Sequence, residues 1–259
     1  MSQNQTLYGL HSVAALLKSA PQRILQLYCL QGRSDQRVQN LLKLAEAQGL
    51  SVQPMARNKL DQLSGGEQHQ GLVAVCRPGP QYDENYLFDR LTQLDGPPFL
   101  LILDSVTDPH NLGACLRSAE AAGVDMVIIP KDKSAGLSPV ARKVACGAAE
   151  VLPLVPVTNL ARTLKRLQQE GVWLVGAAGE ADSSLYQADL SGPLGLVMGA
   201  EGEGLRRLTR ENCDFLVKIP MAGQVASLNV SVATGICLFE ALRQRSVGQA
   251  RPEGPPPDK

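Results

Sequence analysis

The sequence has few of the residues that build metal centres and disulfide frameworks. Only three histidines occur among 259 residues, and the six cysteines are scattered without any C-x-x-C pair. A histidine-rich metal site is therefore not expected, and no metal is predicted. Because most of the cysteines have apolar neighbours, we expect buried free thiols in a reducing compartment. These cysteines are Cys29, Cys76, Cys115, Cys146, Cys213 and Cys237.

Membrane and export signals are also absent from the sequence. It has no signal-peptide pattern at its start and no run of about 18 apolar residues. We therefore expect a cytoplasmic protein with no membrane partner. Lysine plus arginine equals aspartate plus glutamate at 25 each, so the net charge neither indicates nor excludes a nucleic-acid partner.

What is present is enough apolar material for a large core, since 44% of the residues are hydrophobic. Residues 1–76 alternate helix and strand patterns and carry seven basic against four acidic side chains, which predicts a small, basic α/β domain. Residues 77–96 gather proline, glycine and acidic residues around a short helical pattern, which is typical of a linker.

A second alternation of strands and helices fills residues 97–247. Its strand patterns, such as "FLLILDSV" and "VDMVIIP", are almost continuously apolar and are separated by helical patterns. This arrangement predicts an α/β domain with a parallel sheet that helices cover on both faces. The last stretch, 248–259, is polar and rich in proline, and we expect it to be a disordered tail.

Polar loops follow three strands of the large domain, at 104–117, 199–205 and 219–233. Ligands of parallel sheets bind where such loops converge, so the three loops could meet in one crevice. The second, "GAEGEGL", lacks the Lys-Ser/Thr pair of a phosphate loop and the spacing of a dinucleotide fingerprint. Glu201 and Glu203 would oppose an anion, so this loop either is a plain tight turn or holds a neutral or cationic ligand.

Each loop also has a purely structural interpretation. Asn111 could cap the helix that follows it, and Ser227 and Asn229 could form the cap region of the last helix. Arg117 lies within two turns of Asn111, so both could serve a substrate near the start of their helix. A hydrolase triad or a magnesium pair built around Asp104 is disfavoured, because the sequence has no nucleophile elbow and an aspartate before proline is common in turns.

Taken together, in this order and spacing, the three loops resemble the motifs of the SPOUT class of RNA methyltransferases. "DPHNLGACLRSA" resembles the first motif, "VMGAEGEGL" the second and "IPMAGQVASLNVSVA" the third. "YGLHSVAALL" and "EQHQGLVAV" resemble the substrate-binding domain of the SpoU/TrmH branch, which is similar to RNA-binding ribosomal proteins. The resemblance covers nearly everything except the tail, and it is strongest to enzymes that methylate a guanosine of 23S ribosomal RNA.

The resemblance implies a fold and a site that periodicity does not reveal. It implies a C-terminal trefoil knot, a homodimer, and S-adenosylmethionine bound in the knot without a metal. Arg117 would hold a phosphate and stabilise the developing alkoxide, while Asn111, Glu201, Ser227 and Asn229 would orient Arg117, the ribose and the cofactor. The implied cofactor-binding residues are Met198, Gly199, Ala200, Gly202, Ile219, Met221 and Leu228.

Other functions stay open from the sequence alone. An enzyme of the same fold could methylate transfer RNA, and a non-catalytic descendant could bind RNA only. Such a descendant would be expected to lose Arg117 or Asn229, and both are present. An oxidoreductase would need a dinucleotide fingerprint, which the sequence lacks.

Overall fold

The computed structural model describes residues 4–247, so the tail predicted at 248–259 lies outside the described residues. No helix in the described part of the chain combines the length and apolar character needed to cross a membrane. Two sheets organise the chain, one of four strands and one of seven.

The first domain is built on the four-stranded sheet, in the order β1-β4-β2-β3. Its strands are β1 (Gln5–Tyr8), β2 (Ile24–Leu30), β3 (Val52–Met55) and β4 (Leu72–Cys76). Its helices are α1 (Leu10–Ser19), α2 (Gln36–Ala47) and α3 (Arg57–Ser64). Strand β4 is antiparallel to β1 and β2, whereas β3 is parallel to β2. The small α/β domain expected from the sequence is therefore confirmed.

The second domain is built on the seven-stranded sheet, in the order β7-β6-β5-β10-β8-β11-β9. Its strands are β5 (Phe99–Asp104), β6 (Met126–Pro130), β7 (Leu154–Val157), β8 (Trp173–Ala177), β9 (Ser183–Ser184), β10 (Leu194–Gly199) and β11 (Phe215–Lys218). Every pairing is parallel, which confirms the predicted sheet. Strand β10 enters between β5 and β8, so segments far apart in sequence end side by side.

Helices cover this sheet and separate its strands along the chain. They are α4 (Glu84–Leu91), α5 (Pro109–Ala121), α6 (Pro139–Val144), α7 (Leu160–Gln169), α8 (Arg207–Glu211) and α9 (Val230–Val247). Buried side chains alternate between two core clusters along β5, with Leu101 and Leu103 in one cluster and Leu100 and Ile102 in the other. An alternation of this kind shows that both faces of the sheet are covered.

The segment predicted as a linker contains α4, which packs on the large sheet. Leu87 and Phe88 are buried in the same core cluster as Leu100. At the start of α4, the carboxylate of Glu84 accepts hydrogen bonds from Arg162 Nη2 and from Thr163 Oγ1, each at 2.9 Å. Residues 84–91 therefore belong structurally to the second domain.

The ring of His69 is buried in the first domain. Its Nδ1 accepts a hydrogen bond from the Gly71 backbone N–H at 2.9 Å, and its Nε2 lies 3.0 Å from Asp61 Oδ1. With Nδ1 accepting, the proton is assigned to Nε2, which then donates to Asp61. The ring thus fixes the loop before β4, a role that sequence periodicity does not reveal.

The prediction of buried free thiols is confirmed for four of the cysteines, whereas Cys146 and Cys213 are half-buried. Burial raises the pKa of Cys115 to about 11 and that of Cys237 to about 12. A thiol with so high a pKa is almost fully protonated at neutral pH and is a poor nucleophile.

Candidate active site

The carboxyl ends of β5 and β10 lie side by side, because Asp104 pairs in register with Gly199. One row across the sheet also joins Met198 of β10, Ala177 of β8 and Val217 of β11. The loops that begin after Gly199 and after β11 therefore leave the same edge, separated by the width of two strand spacings, roughly 10 Å. The second and third loops therefore flank the end of β8.

Three polar side chains from the three loops meet at this edge. Asn229 Nδ2 donates to Asn111 Oδ1 at 2.9 Å, and Asn111 Nδ2 donates to Glu201 Oε2 at 3.2 Å. Asn229 Nδ2 also lies 3.4 Å from the same oxygen of Glu201. The prediction that the three loops meet is thus confirmed, and we call these three residues the amide–carboxylate cluster.

The structure distinguishes between capping and site roles for the two asparagines. Asp108 caps α5, because its Oδ1 accepts from the His110 N–H at 2.9 Å, so the capping interpretation of Asn111 is wrong. Asn229 both caps a helix and belongs to the cluster. Its Oδ1 accepts from the Ser231 N–H at 2.9 Å at the start of α9, and its Nδ2 donates within the cluster. Capping thus fixes one end of the amide and aims the other at the site.

The glycine loop folds back on itself directly after β10. Ala200 and Gly204 exchange two backbone hydrogen bonds, of 3.1 and 2.9 Å, and Gly202 and Gly204 have positive φ angles of 83° and 68°. A Cβ atom on Gly199 would lie 2.1 Å from the carbonyl carbon of Gly204. The absence of a side chain at Gly199 is therefore required by the loop itself, independently of any ligand.

A buried carboxylate holds the end of this loop. Asp104 is fully buried, its Oδ2 accepts from the Arg206 N–H at 3.0 Å, and its Oδ1 accepts from Arg206 Nε at 2.6 Å. Both oxygens are engaged, so Asp104 serves as a clamp for the loop. One local sign of this pair is present in the sequence, an arginine directly after the glycine loop. Among residues 4–247, no group of three or more potential metal ligands comes together.

Arg117 is a predicted site residue that does not join the amide–carboxylate cluster. It is exposed on α5, and none of the hydrogen bonds or ion pairs found within residues 4–247 involves its side chain. Six residues of α-helix place it about 9 Å along the axis from Asn111 and about 120° around it. Arg117 therefore lies further along α5 than Asn111, toward the C-terminal end of the helix.

The remaining predicted residues lie at the end of β10 and in the second and third loops, and their exposure differs. Met198 and Gly199 are buried at the end of β10, Ala200, Ile219 and Leu228 are half-buried, and Gly202, Met221 and Ser227 are exposed. No side-chain hydrogen bond of Ser227 is found in the described part of the chain. The exposed backbone of the second and third loops can offer N–H and C=O groups to a ligand, and Glu201 adds negative charge.

Two family models match the chain and together cover most of it. The SpoU rRNA Methylase family matches residues 98–239, and the model for RNA 2′-O ribose methyltransferase substrate binding matches residues 6–82.

Curated proteins and solved structures with similar chains are also known. The 23S rRNA (guanosine-2′-O-)-methyltransferase RlmB of Escherichia coli is 61% identical over 243 residues, which cover 94% of this chain and 100% of that protein. Its counterpart in Pseudomonas putida is 59% identical over 247 residues, covering 95% and 99% of the two chains. An AdoMet-bound rRNA methyltransferase from Sinorhizobium meliloti superposes with a TM-score of 0.70 at 25% identity, over 93% of this chain and 87% of that one.

Proposed function

Because the chain belongs to the SpoU rRNA methylase family, we propose that it transfers the methyl group of S-adenosylmethionine to the 2′-hydroxyl of a guanosine in 23S ribosomal RNA. The observation that carries this proposal is the 61% identity to the Escherichia coli enzyme over 94% of the chain. The amide–carboxylate cluster supports it locally, since it joins the three loops that resemble the methyltransferase motifs.

S-adenosylmethionine, when bound, supplies a methyl group that is activated by its positively charged sulfur. The space between the second and third loops is proposed to hold this molecule, because Gly202 and Met221 are exposed there and Glu201 adds a negative charge. We assign the holding of the cofactor to backbone groups around Gly199, Ala200, Gly202, Ile219 and Leu228. Met198 and Met221 would border the same space.

Methyl transfer needs the ribose oxygen in line with the methyl group, and help in losing its proton. A guanidinium stays protonated in proteins and is a reluctant base, so Arg117 is assigned to the phosphate beside the ribose and to the developing alkoxide. Its exposed position fits RNA that runs along α5 from the cluster toward Arg117. Asn111, Glu201 and Asn229 would hold the reacting groups, and Ser227 would contact the ribose from the third loop.

We further propose that the protein acts in the cytoplasm, that it forms a homodimer and that its catalytic domain is knotted. Apolar side chains on α9 support the dimer: Val232 and Phe239 are seven residues apart on one helix face, and their exposed fractions are 51% and 49%. The position of β10 between β5 and β8 supports the knot, because the chain must return into the sheet after β8.

We propose residues 1–76 as the RNA substrate-binding domain, 97–247 as the methyltransferase domain and 77–96 as the connecting segment, whose helix α4 packs on the methyltransferase domain. The matches at 6–82 and 98–239 support this division. The excess of three positive charges in 1–76 suits contacts with phosphates, which supply much of the salt-dependent affinity for RNA.

The function is tested with Arg117→Ala and a control, Glu120→Ala, which changes another exposed residue of α5. Arg117→Ala should lower methyl transfer to 23S ribosomal RNA at least about a hundredfold, the loss expected for one transition-state donor. Calorimetry should show S-adenosylmethionine affinity within a few-fold of the unchanged protein. Near-normal turnover of Arg117→Ala would remove Arg117 from the mechanism, and primer extension on cellular RNA locates the methylated nucleotide.

A further inference from the structure

One buried carboxylate joins the two domains. Glu150 lies in a short 3₁₀ turn, Ala148–Glu150, and its side chain is only 2% exposed. Its Oε2 accepts from Arg23 Nη1 of the first domain at 3.1 Å, and its Oε1 accepts from Arg142 Nη1 of α6 at 2.5 Å. A buried carboxylate is costly unless it is paired, and here each oxygen has its own guanidinium.

Arg23 also holds the segment that connects the domains. Its Nε donates to the Arg77 carbonyl oxygen at 3.2 Å, and the Arg77 N–H donates to the Arg23 carbonyl at 2.8 Å. A Cβ atom on Gly79 would lie 3.2 Å from Arg23 Nη2, so a glycine is suited to this position. One guanidinium therefore fixes the start of the connection and its place on the second domain.

The backbone beside Glu150 is shaped for close approach of the first domain. Cys146 and Gly147 both have positive φ angles, of 51° and 96°. A Cβ atom on Gly147 would lie 2.6 Å from Ala15 Cβ and 2.9 Å from the His11 carbonyl oxygen, both in α1. Residues other than glycine rarely adopt positive φ, so the strained turn is maintained where α1 packs against it.

A third contact lies on the same segment, where Lys143 Nζ pairs with Glu67 Oε2 of the first domain at 2.7 Å. Both partners are more than two-fifths exposed, so this pair adds little stability alone. It nevertheless places residues 142–150 as the surface of the second domain on which the first domain docks. We call this stretch the docking segment.

The docking segment also contacts the helix that carries Asn111 and Arg117. Helix α6 crosses α5 at Gly113, where a Cβ atom would lie 2.5 Å from the Ala141 carbonyl oxygen and 2.7 Å from Val144 Cβ. Packing this tight leaves no room for independent movement of the two helices. The first domain and the catalytic helix therefore both pack against this short part of the chain.

We propose that Glu150 is a positioning residue that sets RNA bound to the first domain in register with the methyl-transfer site. This inference rests on the proposed function. A domain that was only tethered would raise the local concentration of RNA, whereas a docked domain also orients the ribose, and orientation acts on the chemical step. Loss of the Glu150 contacts should therefore lower the rate of methyl transfer in the bound complex more than it lowers binding.

The test uses the full chain with Glu150→Gln, which keeps the side-chain shape and removes the charge. Arg23→Ala is the second variant, because it leaves Glu150 paired with Arg142 and thus protects folding. Arg23→Lys retains the positive charge and should recover much of the rate. The matched control is Arg162→Ala, which breaks an arginine–glutamate pair away from the docking segment.

Three quantities are measured on the holo-protein: cofactor affinity by calorimetry, affinity for a 23S ribosomal RNA fragment by filter binding, and single-turnover methyl transfer at saturating RNA. Glu150→Gln and Arg23→Ala should lose at least about tenfold in the single-turnover rate, the order of a modest misplacement of reacting groups, with both affinities within about twofold. An unchanged rate overturns the inference, as does a loss confined to either affinity. If Glu150→Gln fails to fold, Arg23→Ala and Arg23→Lys decide. If the protein without any substitution is inactive on 23S ribosomal RNA, the proposed function itself is refuted.

Discussion

Helix α4 should determine which truncated forms of the catalytic domain are stable. A chain beginning at Pro97 loses this helix, whereas one beginning at Gln81 keeps it together with its cap, in which Asp83 Oδ1 accepts from the Tyr86 N–H at 2.9 Å. Leu87 and Phe88 are 0% and 5% exposed. Burial of such side chains contributes about 1.5–3 kcal/mol each, so the shorter chain should lose about 3–6 kcal/mol.

That loss is large beside the 5–15 kcal/mol by which folded domains are typically stable. In a domain of this size, each kcal/mol of lost stability lowers the melting temperature by about 2–4 °C. The melting temperature of the chain that begins at Pro97 should therefore be lower by about 6–24 °C. The ion pair of Glu84 adds little, because its partner Arg162 is 65% exposed.

Thermal unfolding followed by circular dichroism compares the two chains directly. The contacts of Arg245 with the Gly192 and Pro97 carbonyls and with the Phe99 ring are present in both, so a difference reports on α4. Replacing Leu87 and Phe88 by alanine in the longer chain should reproduce most of the difference. Melting temperatures within about 2 °C of one another would refute the assignment of α4 to the catalytic domain.

Three further changes test the loop, the dimer and the pH dependence. Gly199→Ala should lower stability by about 1–3 kcal/mol and abolish cofactor binding in calorimetry, because the new Cβ would overlap the backbone of the glycine loop. Phe239→Glu should convert a dimer to monomers in light scattering, since it places a charge in the proposed apolar contact. Hydrogen bonds from Arg243 and Gln244 lower the pKa of Glu240 from 4.5 to about 2, so its stabilising contribution is complete above about pH 4.5 and is lost toward pH 2. Glu240→Gln should therefore flatten the acid side of a curve of urea-unfolding free energy against pH.

Each of these changes has a control and an outcome that contradicts it. Gly192→Ala introduces a Cβ with no atom within 4 Å and should leave cofactor binding intact, so equal effects at both glycines would contradict the argument from the loop. Light scattering of the unchanged protein that gives one chain mass, 27.7 kDa, would contradict the dimer. An acid limb that Glu240→Gln leaves unaltered would show that other carboxylates set it.

Local patterns in the sequence predict the parallel sheet and the place of its polar loops, because apolar runs and turn residues act over a few neighbouring positions. The cap of α5 can also be predicted from the sequence, since aspartate followed by proline is a common helix start and Asp108 has this position. The burial of His69 could not be predicted from local sequence patterns, because its partner Asp61 belongs to a different element.

Contacts between distant segments could not be predicted from the residues alone. Arg23 and Glu150 are 127 positions apart, and Asp104 and Arg206 are 102 apart. Any of 25 basic side chains could have paired with either carboxylate. The Asp104–Arg206 pair depends on the strand order, in which β10 returns beside β5, and the Arg23–Glu150 pair depends on how the first domain packs on the second; no periodicity encodes either.

The glycine loop suits a cationic ligand because of how its charge is held. The carboxylate of Glu201 is bound by the neutral amides of Asn111 and Asn229, and no ion pair found within residues 4–247 includes it. Neutral donors fix the position of the carboxylate and leave its negative charge uncompensated. A phosphate would be repelled there, whereas a sulfonium would be attracted without rearrangement of the site. The two asparagines thus keep a negative charge in place beside the space where the methyl donor is proposed to bind.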